Sequence, residues 1–452
     1  WGVRRSPSLD CSYGVRGGRG GRGGGRGGHN HNSGRGNDAQ FKLCSNYIVG
    51  KCTHGDRCRF AHLLQIMATV DCSDKNKEFN SNNNYNNRNY HSKKKMSDRY
   101  KASSVAVWEN QGQIKVFTGS YDGKWRLFNT GPAQPGQHGA QINQEFEHYV
   151  GGPIDVVHVA SHYFFCAFEC APAEAPDSKA GMVHIWNLNN PSDPPMELWM
   201  SPMSKYAGSG KIRSLFTTPD GTVWSGGSDG IIRQWAFNPQ GPDGKPGFVL
   251  TKTYYGHLGA VTGIALVKGN LWSSGMDGTL RIWNCDKAEQ AHLIPANKND
   301  RGNQNNGNPT PAQKGPGHSG PINEIVPFEL PNDGGSFIMS SSNDGTVKVW
   351  NATNGDCVAS ESNPCGVTSI SLTADIKGKP MLLSGLLNGD IMIRGTVSTP
   401  PLKSLTKIAK SFLNVGHDNT VNDICTGPGN TFYAVGDDGK LTVWQITGNF
   451  QL

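Results

Sequence analysis

Three cysteines and a histidine fall close together in this chain: Cys44, Cys52, Cys58 and His62, separated by seven, five and three residues. Thiolate and imidazole are donors that Zn2+ prefers, and a structural zinc site takes four of them in a closed tetrahedron. So short a stretch has almost no core. The ion must therefore supply its stability, and in finger peptides structural zinc contributes about 10–16 kcal/mol of apparent binding free energy. Gly50 and Gly55 lie between the ligands, so the backbone can wrap tightly there. His54 is a competing donor by type, but its spacing does not fit the set, and a surface position is expected for it.

The ligand spacing, with the ending Cys58-Arg-Phe-Ala-His62, resembles the CCCH zinc-finger family. The resemblance implies binding of single-stranded RNA, whose unpaired bases stack on aromatic rings beside cations. Tyr47 and Phe60 occupy the matching aromatic positions, and Lys51, Arg57 and Arg59 supply the positive charge. Family members often carry an aromatic two residues after the first cysteine. This chain has Asn46 there. The competing reading is that Tyr47 and Phe60 merely cover the metal.

The finger, expected over residues 41–63, sits between two segments of biased composition. Residues 1–40 carry Arg-Gly-Gly units beginning at Arg16, Arg19, Arg22 and Arg26. Such a tail cannot bury enough apolar surface to offset its ordering entropy, and disorder is expected. Its arginines suit a second, nonspecific contact to RNA, which tethering to the finger would strengthen; a plain linker is the bland alternative. Residues 64–98, rich in Asn and Lys, read as a linker. Charge follows the same division. Residues 1–102 hold 19 basic and 7 acidic residues, whereas the remainder holds 24 and 29. A basic arm on a near-neutral body suggests a polyanion partner for the arm alone.

From residue 99 to 452 short β runs alternate with turns, and a glycine followed five residues later by a large aromatic recurs. The pairs are Gly123/Phe128, Gly181/Trp186, Gly230/Trp235, Gly278/Trp283, Gly345/Trp350 and Gly439/Trp444, while Gly389 is followed by Arg394. Asp-Gly between β runs marks a hairpin, because the turn needs a positive φ. Alternation follows, as in Thr279-Leu-Arg-Ile-Trp283, which places Leu280 and Ile282 on one face of a strand. This pattern resembles the WD-repeat family, whose fold is an all-β propeller of four-stranded blades. The resemblance implies a hydrogen-bonded tetrad in each blade. Blade four would use His257, Ser273, Asp277 and Trp283, and blade five His318, Ser340, Asp344 and Trp350. Blade seven has His417, Asp438 and Trp444 but Ala434 at the hydroxyl position, and blade three has Ser225, Asp229 and Trp235 without a Gly-His. Seven blades are expected, with a disordered insertion at 286–316.

Finger, linker and propeller in that order resemble a family of CCCH-finger/WD-repeat proteins of plants and algae. The expected function is a Zn2+-dependent RNA-binding adaptor with a protein partner on the propeller faces. A pure protein-interaction scaffold and a DNA-binding regulator are the alternatives. The tetrad residues could pass for catalytic groups, but they recur at matching positions as a structural device does. No phosphate loop or nucleophile elbow appears, so no enzyme and no small-molecule substrate are expected. No apolar run approaches bilayer length, so no membrane partner is expected. The eight cysteines outside the cluster show no disulfide spacing, which fits a reducing compartment, nucleus or cytoplasm. The chain begins at Trp1, which reads as a fragment.

Overall fold

The structure is a computed structural model, and it describes residues 43–74, 100–131, 142–171, 179–297, 316–330, 335–396, 402, 404–408 and 417–450. Among these residues regular structure is almost entirely β. The helical pieces are α1 (Ser45–Ile48) and a 3-10 turn at Gly55–Arg57. The expected tail at 1–40 lies outside the described residues.

The strands form five four-stranded sheets and one of eight strands. The larger sheet divides into two antiparallel runs where Phe248 and Val249 meet Leu198 and Trp199 in parallel. Each antiparallel run of four is a blade. Blade one is β2 (Ala102–Asn110), β3 (Gln113–Ser120), β4 (Lys124–Thr130) and β5 (Ile142–Tyr149). Blade two is β6 (Ile154–Ala160), β7 (Tyr163–Cys170), β8 (Ala180–Asn187) and β9 (Met196–Trp199). Blade three is β10 (Ile212–Thr217), β11 (Val223–Gly227), β12 (Ile231–Asn238) and β13 (Gly247–Tyr255). Blade four is β14 (Val261–Val267), β15 (Asn270–Gly275), β16 (Leu280–Asn284) and β17 (Glu289–Ile294). Blade five is β18 (Ile322–Glu329), β19 (Ser336–Ser342), β20 (Thr346–Asn351) and β21 (Cys357–Ser362). Blade six is β22 (Val367–Ala374), β23 (Pro380–Leu386), β24 (Ile391–Gly395) and β25 (Ser404–Ile408). The first strands pack each against the next, and β26 (Val421–Gly427) packs back on β2, so the ring closes.

The closing blade corrects the expected boundary of the linker. Behind β26 come β27 (Thr431–Gly436) and β28 (Lys440–Ile446), and the fourth strand is β1 (Leu64–Asp71). Residues 64–71 are therefore part of the propeller. Leu64 faces Ile446 and Asp71 faces Lys440 in an antiparallel pair, which satisfies backbone groups that an open edge on β28 would leave unpaired. Beyond β1 the chain is clasped to blade one. Arg126 Nη1 donates to the carbonyl of Cys72 at 2.8 Å, and its Nη2 lies 3.3 Å from the Asp74 carboxylate. Residues 75–98 of the expected linker lie outside the described residues.

The expected insertion at 286–316 also starts too early. Glu289–Ile294 is β17, with Ile294 opposite Leu280. Residues 298–315 lie outside the described residues.

A second regularity builds the hub. Every first strand has a register shift just after its first residue, the mark of a β-bulge, which re-aims a side chain. Several bulged residues staple their blade to the next one. Ser103 Oγ donates to the Ile154 carbonyl at 2.7 Å, Thr262 Oγ1 to Ile322 at 2.7 Å, and Asn323 Nδ2 to Val367 at 2.6 Å. Asn422 Nδ2 closes the circuit on the Ala102 carbonyl at 2.8 Å. At blade two the bulged residue is Asp155, which cannot donate. It pairs instead with Lys211 at 2.9 Å and Arg213 at 3.4 Å.

Candidate metal centre

The four candidate ligands converge. One donor atom from each of Cys44, Cys52, Cys58 and His62 lies within 4.8 Å of all the others. Local structure explains how. Cys44 is the N-terminal neighbour of α1, and Cys58 ends the 3-10 turn, so each thiol sits at the end of a single tight turn. Gly50 and Gly55 have φ of 70° and 49°, which L side chains tolerate poorly. A backbone bond from Cys44 N to the Ala61 carbonyl, 2.9 Å, closes the loop and brings His62 beside the first cysteine.

The donors fit a metal. Cys44 and Cys58 Sγ stand 3.6 Å apart, and His62 Nε2 is buried with no hydrogen-bond partner. An imidazole nitrogen left so is costly unless it faces a cation. Burial raises the Cys44 thiol, whereas the backbone N–H of His54 lowers Cys52. Of these two thiols Cys52 is the readier to lose its proton to an incoming ion. Three thiolates and one imidazole, with no position left open, make a structural Zn2+ site. His54 is exposed and outside the cluster.

The expected RNA-contact residues divide. Lys51, Arg57, Arg59 and Phe60 are exposed, and the Arg59 guanidinium lies over the Phe60 ring at 4.9 Å. Tyr47 is half-buried. Its ring stacks on His62 with centroids 4.0 Å apart and planes within 4°, so one face already braces a metal ligand. Arg16, Arg19, Arg22 and Arg26 lie outside the described residues.

The finger is seated on the propeller. Ile48 and Leu63 are buried in one cluster with Leu383, Phe432, Trp444, Ile446 and Phe450. Thr447 N donates to the Leu63 carbonyl at 2.9 Å. His62 thus stands two residues before β1, the strand that closes the ring.

In blades four and five the tetrads form as expected. Trp283 Nε1–H donates to Ser273 Oγ at 2.8 Å, Ser273 meets His257 Nε2 at 2.8 Å, and His257 Nδ1 meets Asp277 at 3.0 Å. Blade five repeats the chain through Trp350, Ser340, His318 and Asp344. A Ser–His–Asp chain can perform nucleophilic catalysis, but here both serines are fully buried and each hydroxyl already receives an indole N–H. Burial pushes the Asp277 and Asp344 carboxyls up. The bond and charge of the facing histidine outweigh it, so both end well below the usual carboxylate range.

Elsewhere the blades substitute. In blade seven Thr442, directly across from Ala434, supplies the missing hydroxyl: Trp444 Nε1 donates to its Oγ1 at 3.0 Å and His417 Nε2 meets it at 3.1 Å. In blades one and three an arginine replaces the histidine. Arg126 and Arg233 each reach the hairpin aspartate four residues earlier, Asp122 and Asp229, at 2.7 Å. That Asp-to-Arg spacing recurs at Asp277 and Arg281, where His257 takes the aspartate instead, so the spacing alone did not signal the replacement. Thr442 carried no signal either.

Comparison with known families agrees with this geometry. Residues 40–64 match the family described as "Zinc finger C-x8-C-x5-C-x3-H type (and similar)". Residues 310–351 and 409–445 match "WD domain, G-beta repeat". Residues 201–301 match "IP5P C-F beta-propeller". No curated protein matches the chain. Among the described residues no helix is long and apolar enough to cross a membrane.

Proposed function

We propose that this chain, which joins a CCCH zinc finger to a WD-repeat propeller, is a zinc-dependent adaptor that holds single-stranded RNA and docks a protein partner. Those two domains fit a nucleic-acid-binding or protein-scaffold role, and both are of types that typically work as non-enzymatic scaffolds. The observation that favours RNA is the exposed set of Phe60, Arg59, Arg57 and Lys51 around a metal-braced loop. A flat ring with adjacent cations serves unpaired bases and phosphates together. Duplex DNA is disfavoured, since the longest α-helix among the described residues has four residues, too short to read a major groove. The Arg-Gly-Gly arginines add a nonspecific contact. Zinc thiolates and free cysteines suit a reducing compartment, nucleus or cytoplasm.

Support for a protein partner lies at the hairpin end of the ring. Met276 and Leu387 are exposed and line one cavity with the bulged residues Ser103, Asp155, Thr262 and Asn422, and Leu258 beside Asp277 is 92% exposed. Filter binding of the full chain to single-stranded RNA tests the reading. Phe60→Ala is expected to weaken binding by about 1–3 kcal/mol. Removing Arg57 and Arg59 should lower the salt slope by about 0.7 per phosphate contact. RNA binding unchanged by Cys52→Ser would leave the scaffold reading, in which the finger contacts protein.

A further inference from the structure

Blade seven is assembled unlike the other six. In those blades the outer strand follows the third strand directly in sequence, so a short connection keeps it in place. The outer strand of blade seven is β1, which pairs with β28 from the far end of the chain. Its own burial is slight. Of its eight residues Leu64 alone is buried, and Thr69 and Asp71 are exposed. A strand with few buried apolar contacts and no local connection opens at low free-energy cost unless its ends are held.

Both ends are held. Past Asp71, Cys72 N donates to the Gly439 carbonyl at 2.9 Å, beside the Arg126 clasp. Before Leu64 stands the finger. Leu63 directly follows the ligand His62, is buried with Ile48, Trp444 and Phe450, and accepts a bond from Thr447 N. The fit is close, since a Cβ on Gly448 would lie 2.8 Å from the His62 carbonyl oxygen. The position of His62 therefore sets the seat of Leu63, with no slack between them.

The same seat is open to thiol chemistry. Cys58 is half-buried, and its Sγ lies 3.6 Å from that of the buried Cys44. A disulfide needs about 2.05 Å, so the two sulfurs must close by about 1.5 Å. We infer that the metal site is a redox latch on blade seven, in which oxidation of Cys44 and Cys58 frees β1 from β28 while the rest of the ring stays paired. The oxidant is hydrogen peroxide. The Cys58 thiolate attacks it, an S–O bond forms, the O–O bond breaks, and the departing hydroxide takes a proton and leaves as water. The Cys44 thiolate then attacks the sulfenic sulfur. The S–S bond forms, and a second hydroxide takes a second proton and leaves as water. Two electrons pass from the sulfurs to the peroxide oxygens. Cys52 and His62 remain as two donors, too few for a closed tetrahedral site. Leu63 then leaves its seat, and the edge of β28 loses the partner strand that covered it.

Hydrogen exchange of the zinc-loaded full chain, read by mass spectrometry before and after peroxide, is the test. Peptides over Leu64–Asp71 should exchange about tenfold faster or more, while those of blade four stay unchanged. A stoichiometric zinc should be released, a Cys44–Cys58 disulfide should map, and dithiothreitol with zinc should restore protection. Leu63→Ala keeps all four ligands, so it should hold zinc yet show the faster exchange without peroxide. The latch is overturned if β1 stays protected once zinc has left or in Leu63→Ala, if zinc survives peroxide, or if all blades lose protection together.

Discussion

The finger and blade four each tie a few turns of chain around buried polar atoms, by opposite means. In the finger four donors point at one spot; Cys58 Sγ makes only a weak 3.6 Å bond to Cys44 Sγ, and His62 Nε2 has no partner. In blade four the donors and acceptors run in line, Trp283 to Ser273 to His257 to Asp277, and the chain is complete without any ion. The finger's order is therefore conditional on metal and the blade's is intrinsic. The two meet at β1, since His62 leads directly into Leu64. The conditional element anchors the strand that closes the intrinsic one.

Zinc removal tests that contrast most severely. Chelation, or Cys52→Ser, should abolish a stoichiometric zinc and forfeit a binding term of about 10–16 kcal/mol. It should also lower the melting temperature of the propeller, because Ile48 and Leu63 leave the cluster around Trp444. Elemental analysis and calorimetry read both effects, and an unchanged propeller melt would separate the two regions. Next in size is Trp283→Ala, which should cost about 3–5 kcal/mol in urea unfolding, as large core truncations do. Phe60→Ala in the finger should stay within about 0.5 kcal/mol while still weakening RNA binding.

Serine deletions sharpen the comparison between complete and substituted blades. Ser273→Ala strands His257 and the Trp283 N–H, at a cost of about 1–3 kcal/mol. Ser384→Ala removes a hydroxyl that has no protein partner, so it should cost about 0.5 kcal/mol or less.

Acid acts first through the buried imidazoles. Burial lowers His318 despite the opposing pull of Asp344. The unfolded chain then takes up a proton first as pH falls below the imidazole range, and stability declines. Asp277 and Asp344 are depressed carboxyls. Their contribution is complete above the unfolded carboxylate value and is lost as pH drops through the lower folded values. Burial also holds His158 and His184 down at about 4, so urea midpoints should fall from pH 7 to 5 and more steeply below about pH 4. Asp277→Asn should flatten the lower limb.

The parts of this molecule that were legible before folding are those whose chemistry is local. Cys44, Cys52, Cys58 and His62 announce a metal because their spacing alone limits what they can enclose. The hairpins at Gly278, Gly345 and Gly439 announce strands because a positive φ, 78°, 82° and 69° here, is a property of one residue. Two complete tetrads followed from the same register in blades four and five. What the tertiary structure decided is long-range pairing. Leu64 finds Ile446 across nearly the whole chain, and nothing in the apolar run of β1 says which edge it will cover. Thr442 replaces the hydroxyl lost at Ala434 only because the two face each other across a ladder. Tyr47 spends one ring face on His62 only because the loop closes at Ala61. A sequence records which groups are available. Which of them meet depends on closure of the ring, and that is a property of all the blades at once.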